Sequence, residues 1–271
     1  MTRPAAGASA FDRATAVTAA GDGRWSARCD AGWSAPNGPN GGYLAAIVLR
    51  AMEAQLADRG RDVRSLTCHF LRPPRDGEVS IAVTVERSGR SVSAVSARLD
   101  QDGRLCVLAI AAFAVERDGT PAYGEAPPLA PPPEAVATFP VHPDAPAMVA
   151  HFELRPVFGG LPFSGAAEAL TGGWLRFAQP RALDASALAM YADAWLPAPF
   201  PRLEAPSAAP TLDLTVHFRA PRATAALAPD EPVLARFRSS TAAGGFFEED
   251  GELWSRDGVL LAQSRQLALL T

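Results

Sequence analysis

From residue 42 to about residue 57 the chain is apolar on almost every side. Tyr43, Leu44, Ala45, Ala46, Ile47, Val48, Leu49, Ala51 and Met52 leave only Arg50 polar before Glu53. A helix of this kind has no face to offer water, so the pattern predicts other structure wrapped round it. Asn40, just ahead of it in the turn-rich run Asn37-Gly-Pro-Asn-Gly-Gly-Tyr43, is the predicted N-cap. The wrapping follows directly. Residues 64–71, 78–87, 91–99 and 104–116 mix Val, Ile and Leu with alternating polar positions and read as strands. Ser88-Gly89-Arg90 and Asp100-Gln-Asp-Gly103 are hairpin turns between the last three. One buried helix followed by an antiparallel meander is an α+β unit whose sheet curls about the helix. Upstream, residues 24–29 alternate as a short strand, and residues 1 to about 12 read as frayed.

The same order returns. Proline recurs from residue 118 to about 147 and predicts an extended surface linker. Beyond it, residues 152–158 and 172–177 are strand-like, and Asp184 caps a predicted helix through Trp195 that Pro197, Pro199 and Pro201 end. Strands are expected at 211–218, 232–239, 245–255 and 259–269. The two halves also share a motif. Ser65-Leu-Thr-Cys-His-Phe-Leu-Arg-Pro73 aligns without a gap on Asp213-Leu-Thr-Val-His-Phe-Arg-Ala-Pro221, an offset of 148 residues, with five of nine positions identical. That indicates a duplicated unit. The expected division is a first unit over 13–118, a linker over 119–150 and a second unit over 151–271. Ser65 in one copy stands where Asp213 stands in the other, and that asymmetry marks Asp213 for chemistry.

Composition narrows the field. At 271 residues with a formal net charge of −4, the chain gives no electrostatic case for a nucleic-acid surface. No stretch is long enough to span a bilayer, and no secretory leader pattern opens the chain, so a cytoplasmic location is expected. Cys29, Cys68 and Cys106 are odd in number and widely spaced, which fits neither a disulfide framework nor a zinc site; no metal is expected. Every cationic side chain is Arg, and Arg72, Arg75, Arg219 and Arg222, just after the repeated strands, are candidates to grip phosphates.

Asn37-Gly-Pro-Asn-Gly-Gly-Tyr-Leu-Ala-Ala46, His69-Phe-Leu-Arg-Pro73, Gly173-Trp-Leu-Arg-Phe177 and Asp257-Gly-Val-Leu-Leu-Ala-Gln-Ser-Arg-Gln266 resemble the type II acyl-CoA thioesterases. The resemblance implies a double hotdog: two tandem antiparallel sheets, each wrapped around a long central helix and joined edge to edge. It implies an Asp, a Ser or Thr, and a Gln holding the attacking water. These match Asp213, Ser240 (with Thr241 beside it) and Gln266, whereas the first repeat has Ser65 and Ala111 instead of the Asp and the Gln. It further implies acyl-CoA as substrate and no separate cofactor. Separately from the resemblance, a homodimer or larger homo-oligomer is an expectation for the assembly.

The residues themselves agree with a carboxylate mechanism. No Gly-x-Ser-x-Gly elbow is present, so water activated by a carboxylate is the remaining route to hydrolysis. Asp213 lies in an otherwise apolar strand, where burial is expensive. Gln266 can both donate to and accept from one water. Gly41, Gly42 and Tyr43 form the predicted substrate-binding start of the first helix, whose free amides favour developing negative charge. His69 and His217 occupy matching positions in both copies, which points to a shared structural role. A hotdog hydratase would need an Asp and His pair on a helix, and neither predicted helix contains His. A non-catalytic acyl-CoA or acyl-carrier binder is the alternative, since the same fold and pocket would serve it.

Overall fold

The computed structural model describes residues 8–271 apart from 59, 118, 120 and 122. Its strands are β1 (Val17–Gly21), β2 (Arg24–Cys29), β3 (Ser34–Ala35), β4 (Gly38–Pro39), β5 (Asp62–Phe70), β6 (Gly77–Ser88), β7 (Val92–Gln101), β8 (Arg104–Ala114), β9 (Phe152–Gly159), β10 (Leu170–Phe177), β11 (Thr211–Phe218), β12 (Val233–Arg238), β13 (Ala242–Ala243), β14 (Phe246–Trp254) and β15 (Leu260–Leu269). The helices are α1 (Ala10–Ala14), α2 (Gly41–Leu56), α3 (Ala185–Tyr191) and α4 (Pro221–Ala226).

One antiparallel sheet of 13 strands runs through both halves in the order β1-β2-β6-β7-β8-β5-β11-β15-β14-β12-β10-β9, with β13 beside β14. Counted outward from the β5–β11 seam, each half repeats the other: β5, β8, β7, β6, β2 on one side and β11, β15, β14, β12, β10 on the other. The two copies of the repeated motif are the seam itself. Thr67 pairs with Thr215, His69 with Asp213 and Ser65 with His217. Each copy also carries an irregularity at the same place, between Val63 and Ser65 in β5 and between Thr211 and Asp213 in β11. The chain has a hotdog fold, with α2 resting on β5 to β8 and against α3.

The all-round apolar pattern of α2 is satisfied as expected: Gly42 through Leu49, Ala51 and Met52 are all buried. Asn40 caps it by accepting from the Tyr43 N–H at 3.0 Å. Cutting one of its fully buried side chains, Leu49→Ala for example, costs about 2–5 kcal/mol by lost transfer energy and a residual cavity.

The second helix differs from expectation. α3 covers seven residues and ends at Tyr191 instead of Trp195, so a long central helix is found in the first half alone. Its last turn is pulled off course. The Ala192 N–H points at both Leu188 O and Met190 O, Asp193 is tied to α2, and Pro197 and Pro199 follow too soon for another turn. The N-terminus also differs. Residues 1–7 lie outside the described residues, but Ser9 and Asp12 form a capping box on α1 and Phe11 is buried against Trp33 and Phe177.

Part of the Pro-rich segment packs on the outer face of the second half. Pro131 O accepts from Trp174 Nε1 at 2.8 Å, and Arg155 donates to Pro133 O and Val136 O. A small cluster of Trp174, Leu234 and Trp254 lies beneath it.

Candidate active site

The start of α2 meets the end of α3. Asp193 accepts from the Gly42 N–H and from Asn40 Nδ2, both at 2.9 Å, and its own carbonyl accepts from the same Nδ2 at 2.8 Å. One Asn side chain therefore caps α2 and anchors the carboxylate. The approach needs glycine. A Cβ on Gly41 would sit 2.9 Å from Asp193 Oδ2, and one on Gly42 would sit 2.8 Å from Ala189 O. Burial pushes the Asp193 carboxyl up to about 6, against the pull of the Gly42, Gly41 and Asn40 hydrogen bonds. Asp193 as a whole is half-buried.

On the inner face of the second half, three polar side chains form a line. Thr211 Oγ1 donates to Gln266 Oε1 at 2.9 Å, and Gln266 Nε2 donates to Glu249 Oε1 at 2.6 Å. The other Glu249 oxygen accepts the Ala198 N–H at 2.5 Å, five residues beyond Asp193. Gln266 and Glu249 are directly opposed on β15 and β14, with exposures of 6% and 5%. Burial pushes Glu249 up to about 7, and the charges of Asp193 and Glu248 act in the same direction.

The predicted residues separate. Gln266 is on this inner face. Asp213 is not: it pairs with Leu267, whereas Gln266 pairs with Leu214, so Asp213 and Gln266 point to opposite sides of the sheet. Leu214 is buried and Leu267 is 39% exposed, which identifies the sides. Ser240 and Thr241 lie in an exposed turn after β12, where the Ser240 N–H donates to Glu248. The hydroxyl that meets Gln266 is instead Thr211. The irregularity at Leu212 puts Thr211 opposite the buried Ala268, although two-residue spacing from Asp213 would have sent it outward. Tyr43 turns into the core, stacking on Trp33 with its hydroxyl on Ala14 O, Arg28 O and the Asp30 N–H. Asp193, Thr211 and Glu249 escaped the sequence reading. Asp193 had left a signal: an acid at a helix C-terminus is electrostatically misplaced unless something holds it.

The corresponding region of the first half is apolar. The row Leu214–Gln266–Glu249 has Leu66–Ala111–Val95 as its counterpart, and Val63 stands for Thr211. At the start of α3, Asp184, Arg181, Arg50 and Asp12 pair with one another. Among the described residues, the polar line is found in the second half alone.

Within the hotdog fold, a carboxylate sits on a helix N-terminus and a Thr–Gln–Glu line holds the loop that carries it, a set of groups suited to acyl thioester chemistry. Residues 29–114 match the acyl-CoA thioesterase N-terminal domain and residues 125–270 the C-terminal domain; the chain belongs to the acyl-CoA thioesterase family and is a thioester hydrolase. A hotdog-fold protein of unknown function from Alicyclobacillus acidocaldarius is 30% identical, with a TM-score of 0.91 over 97% of this chain and 98% of that one. A candidate thioesterase II from Thermobifida fusca is 27% identical at a TM-score of 0.83, covering 98% and 99%. An acyl-CoA thioesterase II from Mycobacterium marinum, 21% identical, shares the fold at a TM-score of 0.79 over 97% and 98%. No curated protein sequence matches the chain. No helix among the described residues is long and apolar enough to cross a membrane.

Proposed function

We propose that the chain hydrolyses acyl-CoA to free acid and coenzyme A, with Asp193 as the base that activates water. The observation that carries this is the Asp193 carboxylate on the Gly42 amide, at the start of a 16-residue helix, in a loop that the Thr211–Gln266–Glu249 line holds through the Ala198 N–H. A base works best when its pKa lies near the working pH, and burial moves Asp193 toward it.

Water held by Thr211, Gln266 and Asp193 attacks the thioester carbon and gives its proton to Asp193. The carbonyl oxygen gains negative charge as the carboxylate loses its own. The α2 amides, which carry roughly half a positive charge between them, then transfer from the carboxylate to the oxyanion. Collapse of the tetrahedral intermediate breaks the C–S bond, and the leaving CoA sulfur takes the proton held by Asp193, which restores the carboxylate.

The pantetheine arm has a route beside the site. A cleft of about 470 Å³, lined by Asn37, Gly38, Pro39, Pro73, Pro74 and Arg75 among others, opens next to Asn40. Arg75 is the residue of this cleft suited to a CoA phosphate. Arg222 is less suited, because it pairs with Glu116 at 2.8 Å.

The test is free-thiol release from acyl-CoA by two folded variants. Asp193→Asn is expected to lower kcat by about 10²-fold or more, and Asp213→Asn to leave it within about twofold. Normal turnover by Asp193→Asn overturns the assignment of the base. Acyl-CoA binding without turnover by the wild-type chain would favour a binding protein.

A further inference from the structure

We propose that Glu249 is a positioning residue whose ionised carboxylate fixes which way the Gln266 amide faces, and so sets the hydrogen-bond polarity of the water site. The proposal rests on the reading of Thr211 and Gln266 as the groups that hold the water.

The fold does not ask for an acid at this position. Its counterpart across the duplication is Val95, which packs in the core, and the neighbours on the same face of β14 are the buried Phe247, Gly251 and Leu253. Burying a carboxylate there carries a solvation penalty that a Val avoids. No cation faces it. The groups that meet its oxygens are the Gln266 Nε2 and the Ala198 N–H, and the nearby charges are the acids Asp193 and Glu248.

An ionised carboxylate accepts hydrogen bonds and donates none. Glu249 therefore compels Gln266 to present its NH₂ group, which leaves Gln266 Oε1 for the Thr211 hydroxyl. The Thr211 proton is thereby committed. Its lone pairs and the second N–H of Gln266 are left to hold water with an oxygen lone pair free to attack. Protonating Glu249 reverses the line. Its O–H then seeks Gln266 Oε1, the amide turns over, and the Thr211 proton is released toward the water it should accept from. The same carboxylate holds Ala198, so it also fixes the loop that carries Asp193.

Two measurements test this. The first is the pH dependence of kcat. With Glu249 and Asp193 both required unprotonated, log kcat should fall on the acid side with a limiting slope of about two. In Glu249→Gln the slope should drop to about one, with kcat about tenfold lower and KM within about twofold. Glu249→Asp should restore the steeper limb. A folded Glu249→Gln variant with unchanged kcat and an unchanged acid limb overturns the proposal. A lower kcat with an unchanged acid limb reduces Glu249 to a packing residue and also overturns it.

The second measurement needs no turnover. The side-chain NH₂ resonances of Gln266, followed by NMR, should shift with pH in the wild type along a single titration that Glu249→Gln removes. Resonances that ignore pH in the wild type contradict the proposal even if the variant folds poorly. The Asp193→Asn experiment separates the two readings: its failure removes the assigned base, whereas failure here leaves that base standing without its positioning partner.

Discussion

Thr67 and Thr215 face each other across the seam with their hydroxyl oxygens 3.0 Å apart. They are the same residue of the duplicated strand, so the local two-fold relation between the halves passes between them. Each hydroxyl is the other's partner. Thr67→Val or Thr215→Val alone should therefore cost about 1 kcal/mol in urea unfolding, while the double variant costs clearly less than the sum. Strict additivity would show that the two hydroxyls do not interact in solution.

Away from that axis the halves diverge: Thr211, Gln266 and Glu249 stand where the first half has Val63, Ala111 and Val95. Thr211→Val removes the donor to the buried Gln266 Oε1 while keeping nearly the same volume, so kcat should fall about tenfold or more, with a stability loss of about 1–3 kcal/mol from the unpaired oxygen. Ser240→Ala and Thr241→Ala, both in the exposed turn, should leave kcat within about twofold. If Ser240→Ala proves the damaging change, the hydroxyl assignment made from the Thr211–Gln266 bond is overturned.

Much of this architecture was legible in the residues. The apolar surround of α2, the repeat at an offset of 148 and the asymmetry between copies all pointed to two sheet-wrapped units. The asymmetry led to Asp213 because sequence spacing cannot show which side of a sheet a residue faces once an extra residue enters the strand. The irregularity at Leu212 turns Thr211 inward and leaves Asp213 outside. Buried positions were the informative ones to compare: Val63 with Thr211, Ala111 with Gln266, Val95 with Glu249. Asp193 was hidden for another reason. It was read as part of a helix through Trp195, whereas α3 stops at Tyr191 and frees Asp193 to reach Gly42.

The two site carboxylates should also be visible in stability. Asp193 rises from 3.8 to about 6 and Glu249 from 4.5 to about 7, in each case first through burial. Between these pairs of values the folded chain keeps protons that the unfolded chain has lost, so their contribution to stability falls as pH rises through about 4 to 7. Glu249→Gln abolishes its share. At about 1.4 kcal/mol per pKa unit, the variant should gain on the wild type by up to roughly 3 kcal/mol between pH 5 and pH 8. Melting curves at the two pH values check this. A difference in Tm that does not move with pH would mean that Glu249 titrates alike in both states.

The cleft beside Asn40 yields the last prediction. Arg75 lines it, while the neighbouring Asp76 is already paired with Arg28 at 2.8 Å, so among the described residues the Arg75 guanidinium has no ion pair to give up on binding an anion. An exposed guanidinium acting on a phosphate is screened beyond a Debye length of about 8 Å at physiological salt, which makes its effect dependent on ionic strength. Arg75→Ala should raise KM for acyl-CoA about three- to tenfold at low salt with kcat unchanged, and the difference should shrink by about 0.5 M salt. Arg222→Ala should leave KM where it is, because Arg222 is held by Glu116. A truncated thioester with the pantetheine end but no phosphates should be hydrolysed equally by the wild type and Arg75→Ala. An equal rise in KM for the truncated substrate would show that Arg75 shapes the cleft without reading the phosphates.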